Sequence, residues 1–153
     1  FLFEHVGYSY RATELEAAIG YAQIQQYKTL IKDRKNNATY LTKGLLDLNK
    51  YLQLPKVRKD TEHVFMFYPI VVKKGVKRDT LVNFLEENLI ETRFLLPLLN
   101  QPVYKKIFGD IEKKYPIAKS LNDNAFYIGC HSELTKKDLD YIIKKFHEFF
   151  KTL

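Results

Sequence analysis

The first polar cluster of the chain is the segment GYSYRAT, residues 7–13, in which hydrogen-bonding side chains follow a glycine directly before a helical pattern. Arg11 carries a planar, permanent cation, and the Ser9 hydroxyl can donate one hydrogen bond. A helix that begins two residues after Arg11 adds unpaired backbone N–H groups and a partial positive charge. Together these groups suit an anion such as a phosphate or a carboxylate.

The same segment also has a purely structural interpretation. Tyr8 and Tyr10 would then be packing residues, and Ser9 and Arg11 would be surface residues before the first helix, with no role in binding. Taken by itself, the local sequence favours this interpretation. The chain begins with Phe1 and not with methionine, however, so we expect it to be a piece of a longer protein and the segment to be half of a site.

Composition limits the classes of protein that need to be considered. The 153 residues suffice for one domain with a real core, and a hydrophobic fraction of 46% argues against disorder. We find no apolar run of about 18 residues and no secretory signal, which argues against a membrane protein. The single cysteine, Cys130, cannot form an internal disulfide and suits a reducing cytoplasm. The four scattered histidines have no metal-ligand spacing.

The net charge of +7 raises the question of nucleic-acid binding. Lysines are spread over several segments with acidic residues between them, which is typical of solvated helix faces. No zinc finger, RNP-type motif or GxxG loop is present. We therefore expect no nucleic-acid partner, and a basic surface also suits a phosphorylated small molecule.

Helical periodicity dominates the first third of the chain. Thr13 and Glu16 have the spacing of a capping box, so a helix should begin there. Apolar residues then recur at helical spacing as far as Leu48, which predicts one very long helix or two in tandem, ending near Asn49. Gly20 weakens a helix interior, so we expect another backbone to pack closely against it.

Strands and helices alternate in the remainder. We predict strands at 51–55, 63–72, 90–96 and 125–131, with Pro69 marking an edge strand or a bulge. We predict helices from Lys77 or Asp79 to near Asn88, from Pro116 to Leu121, and from a cap at Thr135 and Asp138 to the end, with a helical turn in the segment 97–109. The order predicts an α+β fold in one domain: a long N-terminal helix, then a small antiparallel or mixed sheet covered by helices on one side.

Three blocks of sequence, GYSYRATELEAAIGYAQI, IETRFLLPLLNQPVYKKIFG and AFYIGCHSELTKKDLDYII, resemble the C-terminal part of the DegT/StrS family in the family's order. These are pyridoxal-phosphate-dependent nucleotide-sugar aminotransferases of fold type I. The resemblance implies that residues 1–49 form a turn and an interdomain helix and that residues 50–153 form the small domain. The large domain, with the lysine that forms the Schiff base, would lie upstream of Phe1. No lysine of this chain would take that role, and the chain alone would be inactive.

The resemblance also assigns site residues. In the family the matching turn commonly reads GYNxR and reaches into the active site of the neighbouring subunit, where its amide helps to hold the cofactor phosphate. Here Ser9 stands where Asn is commoner, and Tyr8, Ser9 and Arg11 become candidate cofactor contacts.

Arg93, His5 and Tyr10 become candidate substrate contacts. The family often has a histidine in the loop after Arg93, whereas this chain has Asn100 there, and an ordinary salt bridge at Arg93 remains an alternative. We interpret Cys130 as a small buried hydrophobe and His131 as a structural loop residue.

The implied function is transfer of an amino group from a donor such as glutamate to a nucleotide-diphosphate keto sugar by a cytoplasmic homodimer, with pyridoxal phosphate carrying the difficult chemistry. Two alternatives stay open. One is a sugar dehydratase of the same family, which uses pyridoxamine phosphate and replaces the Schiff-base lysine with histidine. The other is a stand-alone interaction or binding domain without chemistry of its own.

Overall fold

The computed structural model describes residues 7–8, 10–95 and 98–151. Three short 3₁₀ turns, at Leu46–Leu48, Leu98–Asn100 and Glu112–Lys114, connect the regular elements. In chain order those elements are α1 (Glu14–Ile24), α2 (Tyr27–Gly44), β1 (Leu52–Gln53), β2 (Phe67–Val72), α3 (Arg78–Glu87), β3 (Thr92–Phe94), α4 (Pro102–Phe108), α5 (Pro116–Asn124), β4 (Ala125–Gly129) and α6 (Lys136–Lys151).

The N-terminal helical region consists of two helices in tandem, which was one of the two predicted arrangements. A break at Gln25 and Gln26 separates α1 from α2. The predicted capping box is confirmed, because the Thr13 hydroxyl accepts from the Glu16 N–H and the Glu16 carboxylate accepts from the Thr13 N–H. The helical region ends with the 3₁₀ turn at Leu48, close to the predicted end.

The four strands form one antiparallel sheet in the order β1-β2-β4-β3. The core lies on one face of this sheet, where the cross-strand pairs Tyr68–Ile128 and Ile70–Phe126 are buried. Helices α2, α3 and α6 cover that face and contribute to the same cluster. Their buried apolar residues are Ala38, Leu41, Leu81, Val82, Leu85, Leu139, Ile142, Phe146, Phe149 and Phe150. The predicted fold class is confirmed.

The predicted strands are too long. The strand predicted at 63–72 begins only at Phe67, because Phe65 adopts a positive φ of 50° that breaks the extended backbone and its N–H donates to the His63 ring. The strand predicted at 90–96 is limited to Thr92–Phe94.

Pro69 does not mark an edge strand, since β2 lies between β1 and β4. β1 pairs only with Val71 and Val72, however, so the β1 side of the strand is unpaired at Pro69, as it would be at an edge.

The expectation of close packing at Gly20 is wrong for the described residues. A Cβ added at Gly20 would meet no described atom within 4 Å, whereas one added at Gly44 would overlap the Ile143 side chain. The close approach therefore lies at the other end of the helical pair, where α2 meets α6.

Candidate functional site

The described residues of the GYSYR turn, which are Gly7, Tyr8, Tyr10 and Arg11, lie open to solvent. Tyr8 and Tyr10 are 78% and 87% exposed, and their rings contact each other at a centroid distance of 5.8 Å. Arg11 is exposed, and its guanidinium makes no hydrogen bond or ion pair with any described residue. Ser9 and His5, a predicted phosphate contact and a predicted substrate contact, lie outside the described residues. The described part of the turn thus presents a cation and two phenol groups to solvent.

The start of α1 has fewer unpaired donors than the sequence suggests. The capping box occupies the Glu16 N–H and places a carboxylate 2.8 Å from the Thr13 N–H. These hydrogen bonds from Thr13 hold the pKa of Glu16 below its ordinary value, so a negative charge already occupies the first turn. An incoming anion would depend on Arg11 more than on the helix end.

Arg93 lies on the face of the sheet opposite the core, where it pairs with Tyr127 across strands. Its side chain is 68% exposed and bonds to Glu91 at 2.7 Å. The Glu91 carboxylate raises the pKa of Arg93 by hydrogen bonding and charge. The salt-bridge alternative left open by the sequence is therefore present, but an exposed pair of this kind contributes little and can exchange for another anion.

Arg93 lines a cleft of about 500 Å³ at the end of the sheet, between β2, β4, the α3–β3 turn and the start of α6. Its polar and aromatic lining includes Thr92, Tyr127, Asp138 and Tyr141. None of the described turn residues lines this cleft, so Tyr8, Tyr10 and Arg11 are not brought together with Arg93 there.

Three of the other cleft residues, Met66, Leu89 and Tyr127, were not singled out by the sequence. Leu89 is 94% exposed and holds a positive φ of 60°, and Met66 is 66% exposed. Met66 lies within the strand predicted at 63–72, and Leu89 lies between the helix predicted to end near Asn88 and the strand predicted from residue 90. No local motif marks either residue. Only the register of the sheet brings Tyr127 next to Arg93.

The buried titratable groups are structural. Cys130 is fully buried, and burial raises the pKa of its thiol to about 11, which keeps it protonated and unreactive. Burial likewise raises the pKa of Tyr68 to about 12, and its hydroxyl lies 2.8 Å from that of Thr42. His131 contributes its backbone carbonyl, which accepts from the Asn37 amide at 2.8 Å. These observations confirm the interpretation of Cys130 and agree with a structural His131.

Every lysine of the chain is at least partly exposed. Lys145, whose side chain is 18% exposed, pairs with Glu148 at 2.7 Å, and that carboxylate raises the pKa of the amine. A Schiff-base lysine needs an apolar pocket that lowers its pKa. The environment of Lys145 raises its pKa instead.

A metal-binding cluster and a membrane-spanning helix are both absent from the part of the chain that the structure describes. No cluster of three or more His, Cys, Asp or Glu residues could hold a metal ion there. Within the same residues, no helix is long and apolar enough to cross a membrane.

Curated relatives match nearly the whole length of this chain. It is 32% identical to the lipopolysaccharide biosynthesis protein RfbH of Salmonella typhimurium, over 98% of this chain and 35% of that protein. It is 30% identical to the GDP-perosamine synthase of Escherichia coli O157:H7, over 95% of this chain and 38% of that protein. A dTDP-4-dehydro-2,6-dideoxy-D-glucose 3-dehydratase of Saccharopolyspora spinosa is 28% identical over 97% of this chain and 33% of its own length.

The chain thus spans between 33% and 38% of the length of these relatives. Among solved structures, the PLP-form of the putative sugar aminotransferase Spr1654 from Streptococcus pneumoniae has the same fold, with a TM-score of 0.82 at 22% identity over 93% of this chain and 36% of that one. The family model described as the DegT/DnrJ/EryC1/StrS aminotransferase family matches residues 1–147. The chain therefore belongs to the DegT/DnrJ/EryC1/StrS aminotransferase family.

Proposed function

We propose that this chain is the C-terminal part of a cytoplasmic, pyridoxal-phosphate-dependent aminotransferase that acts on nucleotide-linked keto sugars for polysaccharide or antibiotic synthesis. The observation that carries the proposal is the family match over residues 1–147, together with 30% identity to a GDP-perosamine synthase. Residues 1–49 are then the turn and interdomain helix, and residues 50–153 are the small domain.

The described residues fit only one end of pyridoxal phosphate. Arg11 has the donor chemistry for its phosphate and has no competing partner among the described residues. The described residues of the turn do not enclose the ring, and no lysine of the chain lies in an apolar pocket that would lower its pKa. The remainder of the site would therefore come from a large domain and a second subunit. When bound, the cofactor supplies the electron sink for removing and adding a proton next to nitrogen.

Each candidate residue has a defined role in this proposal. Ser9 and Arg11, with Tyr8 beside them, hold the cofactor phosphate in the partner subunit of a homodimer. Arg93, His5 and Tyr10 contact the substrate.

Arg93 can bind a phosphate or carboxylate of the substrate by exchanging its exposed partner Glu91. The chain's own residues thus orient cofactor and substrate, and none of them holds the transferred proton.

A sugar dehydratase of the same family is the second candidate, and the 28% identity to a 3-dehydratase favours it. A stand-alone binding domain is the third candidate. The experiment uses the longer protein that contains this chain, a nucleotide-linked keto sugar and ¹⁵N-labelled glutamate. An aminotransferase yields a sugar that gains ¹⁵N, with one 2-oxoglutarate released per transfer. A dehydratase yields a sugar that loses a hydroxyl without gaining nitrogen, and a binding domain leaves the sugar unchanged.

The role of Arg93 has a matched control in the same chain. Arg58 is a second exposed arginine that bonds to a carboxylate two residues away, Asp60, at 2.6 Å. If Arg93 binds the substrate anion, Arg93→Gln raises KM by about 13-fold to 160-fold, since a charge-assisted hydrogen bond contributes about 1.5–3 kcal/mol. Arg58→Gln leaves KM unchanged. Equal KM values for the two variants would show that Arg93 does not bind the substrate.

A further inference from the structure

Burial along α2 decreases steadily toward its N-terminus. Leu41 and Ala38 are 0% and 1% exposed, whereas Tyr27, on the same side of the helix, is 49% exposed. Arg34 stands on this stripe one turn before Ala38 and is partly buried. It therefore marks the point at which the helix leaves the core of the described domain.

The Arg34 side chain lacks a hydrogen-bond partner. Its Nε is enclosed by the protein and is unpaired, and the guanidinium makes no hydrogen bond or ion pair with any described residue. The two Nη groups are not enclosed, so the planar end of the side chain reaches the surface. An enclosed polar group without a partner is destabilising, and this cation cannot neutralise itself by losing a proton.

The backbone around Arg34 is held firmly in place. The Cys130 thiol donates to the Arg34 carbonyl at 3.5 Å, and one turn later the Asn37 amide donates to the His131 carbonyl at 2.8 Å. Both contacts fasten α2 to the end of β4. The unpaired guanidinium is thus presented from a fixed position, which lowers the entropy that binding would cost.

We propose that Arg34 is an anchor for a carboxylate from a part of the protein outside this chain, bound by its two Nη groups. The inference rests on the proposed function, in which the chain continues into a large domain that packs along α1 and the start of α2. The chain spans only 33% to 38% of its relatives, so ample polypeptide exists to supply the partner.

Charge favours an acidic partner for this anchor. Lys28 and Lys32 are exposed on the same stretch of α2. Lys35, the next residue along the helix, already pairs with a carboxylate of this chain, that of Glu62.

The first test uses the 153-residue chain. Arg34→Met keeps the apolar stem and removes the unpaired donors, so we expect the urea midpoint to stay equal to the parent or to rise. Lys32→Met, which removes one exposed charge from the same helix, is the control and should leave the midpoint unchanged. A clear fall for Arg34→Met alone would overturn the proposal, because the guanidinium would then have a partner within the chain.

The second test uses the longer protein. There Arg34→Met should lower the urea midpoint, Arg34→Lys should lower it less, and Lys32→Met should not. Each Asp and Glu of the additional region is then changed to its amide in the parent and in Arg34→Met. We expect one carboxylate whose effect, at least tenfold in the unfolding equilibrium constant, disappears when Arg34 is absent. If no carboxylate couples to Arg34, the proposal is wrong.

The sugar assay separates this inference from the proposed function. If the longer protein is an active aminotransferase but no carboxylate couples to Arg34, only the proposal for Arg34 is wrong. If a carboxylate couples to Arg34 but the protein transfers no nitrogen, only the proposed function is wrong.

Discussion

The N-terminal helix α1 and the body, which runs from α2 to α6, share local sequence features but lie in different environments. Both contain apolar residues at helical spacing, a capping box and a helical glycine, which is internal in α1 and terminal in α2. In α1 no residue is buried, and Leu15 and Ile24 are 72% and 63% exposed. In the body the same kinds of residue form one continuous cluster. The apolar residues of α1 are therefore left uncovered by this body.

The largest contrast should come from truncating a leucine in each region. Leu41→Ala opens a cavity at a fully buried position of α2 and should cost about 2–5 kcal/mol of unfolding free energy. Leu15→Ala removes an exposed side chain and should stay within about 0.5 kcal/mol. Urea unfolding of the chain checks both. Similar losses would mean that α1 packs on the body.

A second contrast comes from adding a methyl group to a glycine in each region. Gly44→Ala overlaps Ile143 and should destabilise by about 1–3 kcal/mol. Gly20→Ala meets no described atom, so it should only raise helix content, by up to about 1 kcal/mol of local helix stability. Urea unfolding and circular dichroism measure the two effects. A loss at Gly20 in the chain alone would contradict the open environment of α1.

The third contrast concerns self-association. An uncovered apolar face favours association, so sedimentation of the chain should show dimers or larger species. Ile24→Gln on α1 should weaken association about tenfold, or about 1.4 kcal/mol. Ile117→Gln, at an isoleucine of α5 that is 77% exposed, is the control and should have no such effect. A strictly monomeric chain at high concentration would show that the α1 face does not drive association.

The smallest contrast compares the two capping boxes. Thr135 caps α6, and its hydrogen bonds to the Asp138 carboxylate lower the pKa of that group. Thr135→Ala should cost about 1 kcal/mol, because α6 is part of the core. Thr13→Ala should fray α1 and leave the unfolding midpoint of the body unchanged. Equal shifts of the midpoint would show that α1 unfolds together with the body.

Local patterns in the sequence predicted most of the fold. Both capping boxes stand where the threonine and carboxylate spacing places them, because they depend only on neighbours in the chain. Strand ends were predicted less well, since the positive φ of Phe65 breaks a strand that composition alone would continue. Pro69 within a central strand depends on how short β1 is, which no local pattern reveals.

The candidate site was less predictable than the fold. The sequence pointed to Arg11 by residue type and to Arg93 through the family resemblance, and the structure adds that Arg93 already has a partner in Glu91. It did not point to Arg34, because an arginine in a helical pattern looks solvated until the burial of its Nε is known. Leu89 was missed for a similar reason, since its positive φ follows from how α3 ends.

The most direct experiment asks whether the turn before α1 serves the active site of another subunit. Two inactive variants of the longer protein are prepared, one lacking the cofactor lysine and one carrying Ser9→Ala and Arg11→Ala. If the turn acts across the interface, mixed dimers contain one site with both sets of residues intact, and activity returns on mixing. If activity stays absent although heterodimers are shown to form, the turn acts within its own chain. The proposal that it holds the cofactor of the neighbouring subunit is then wrong.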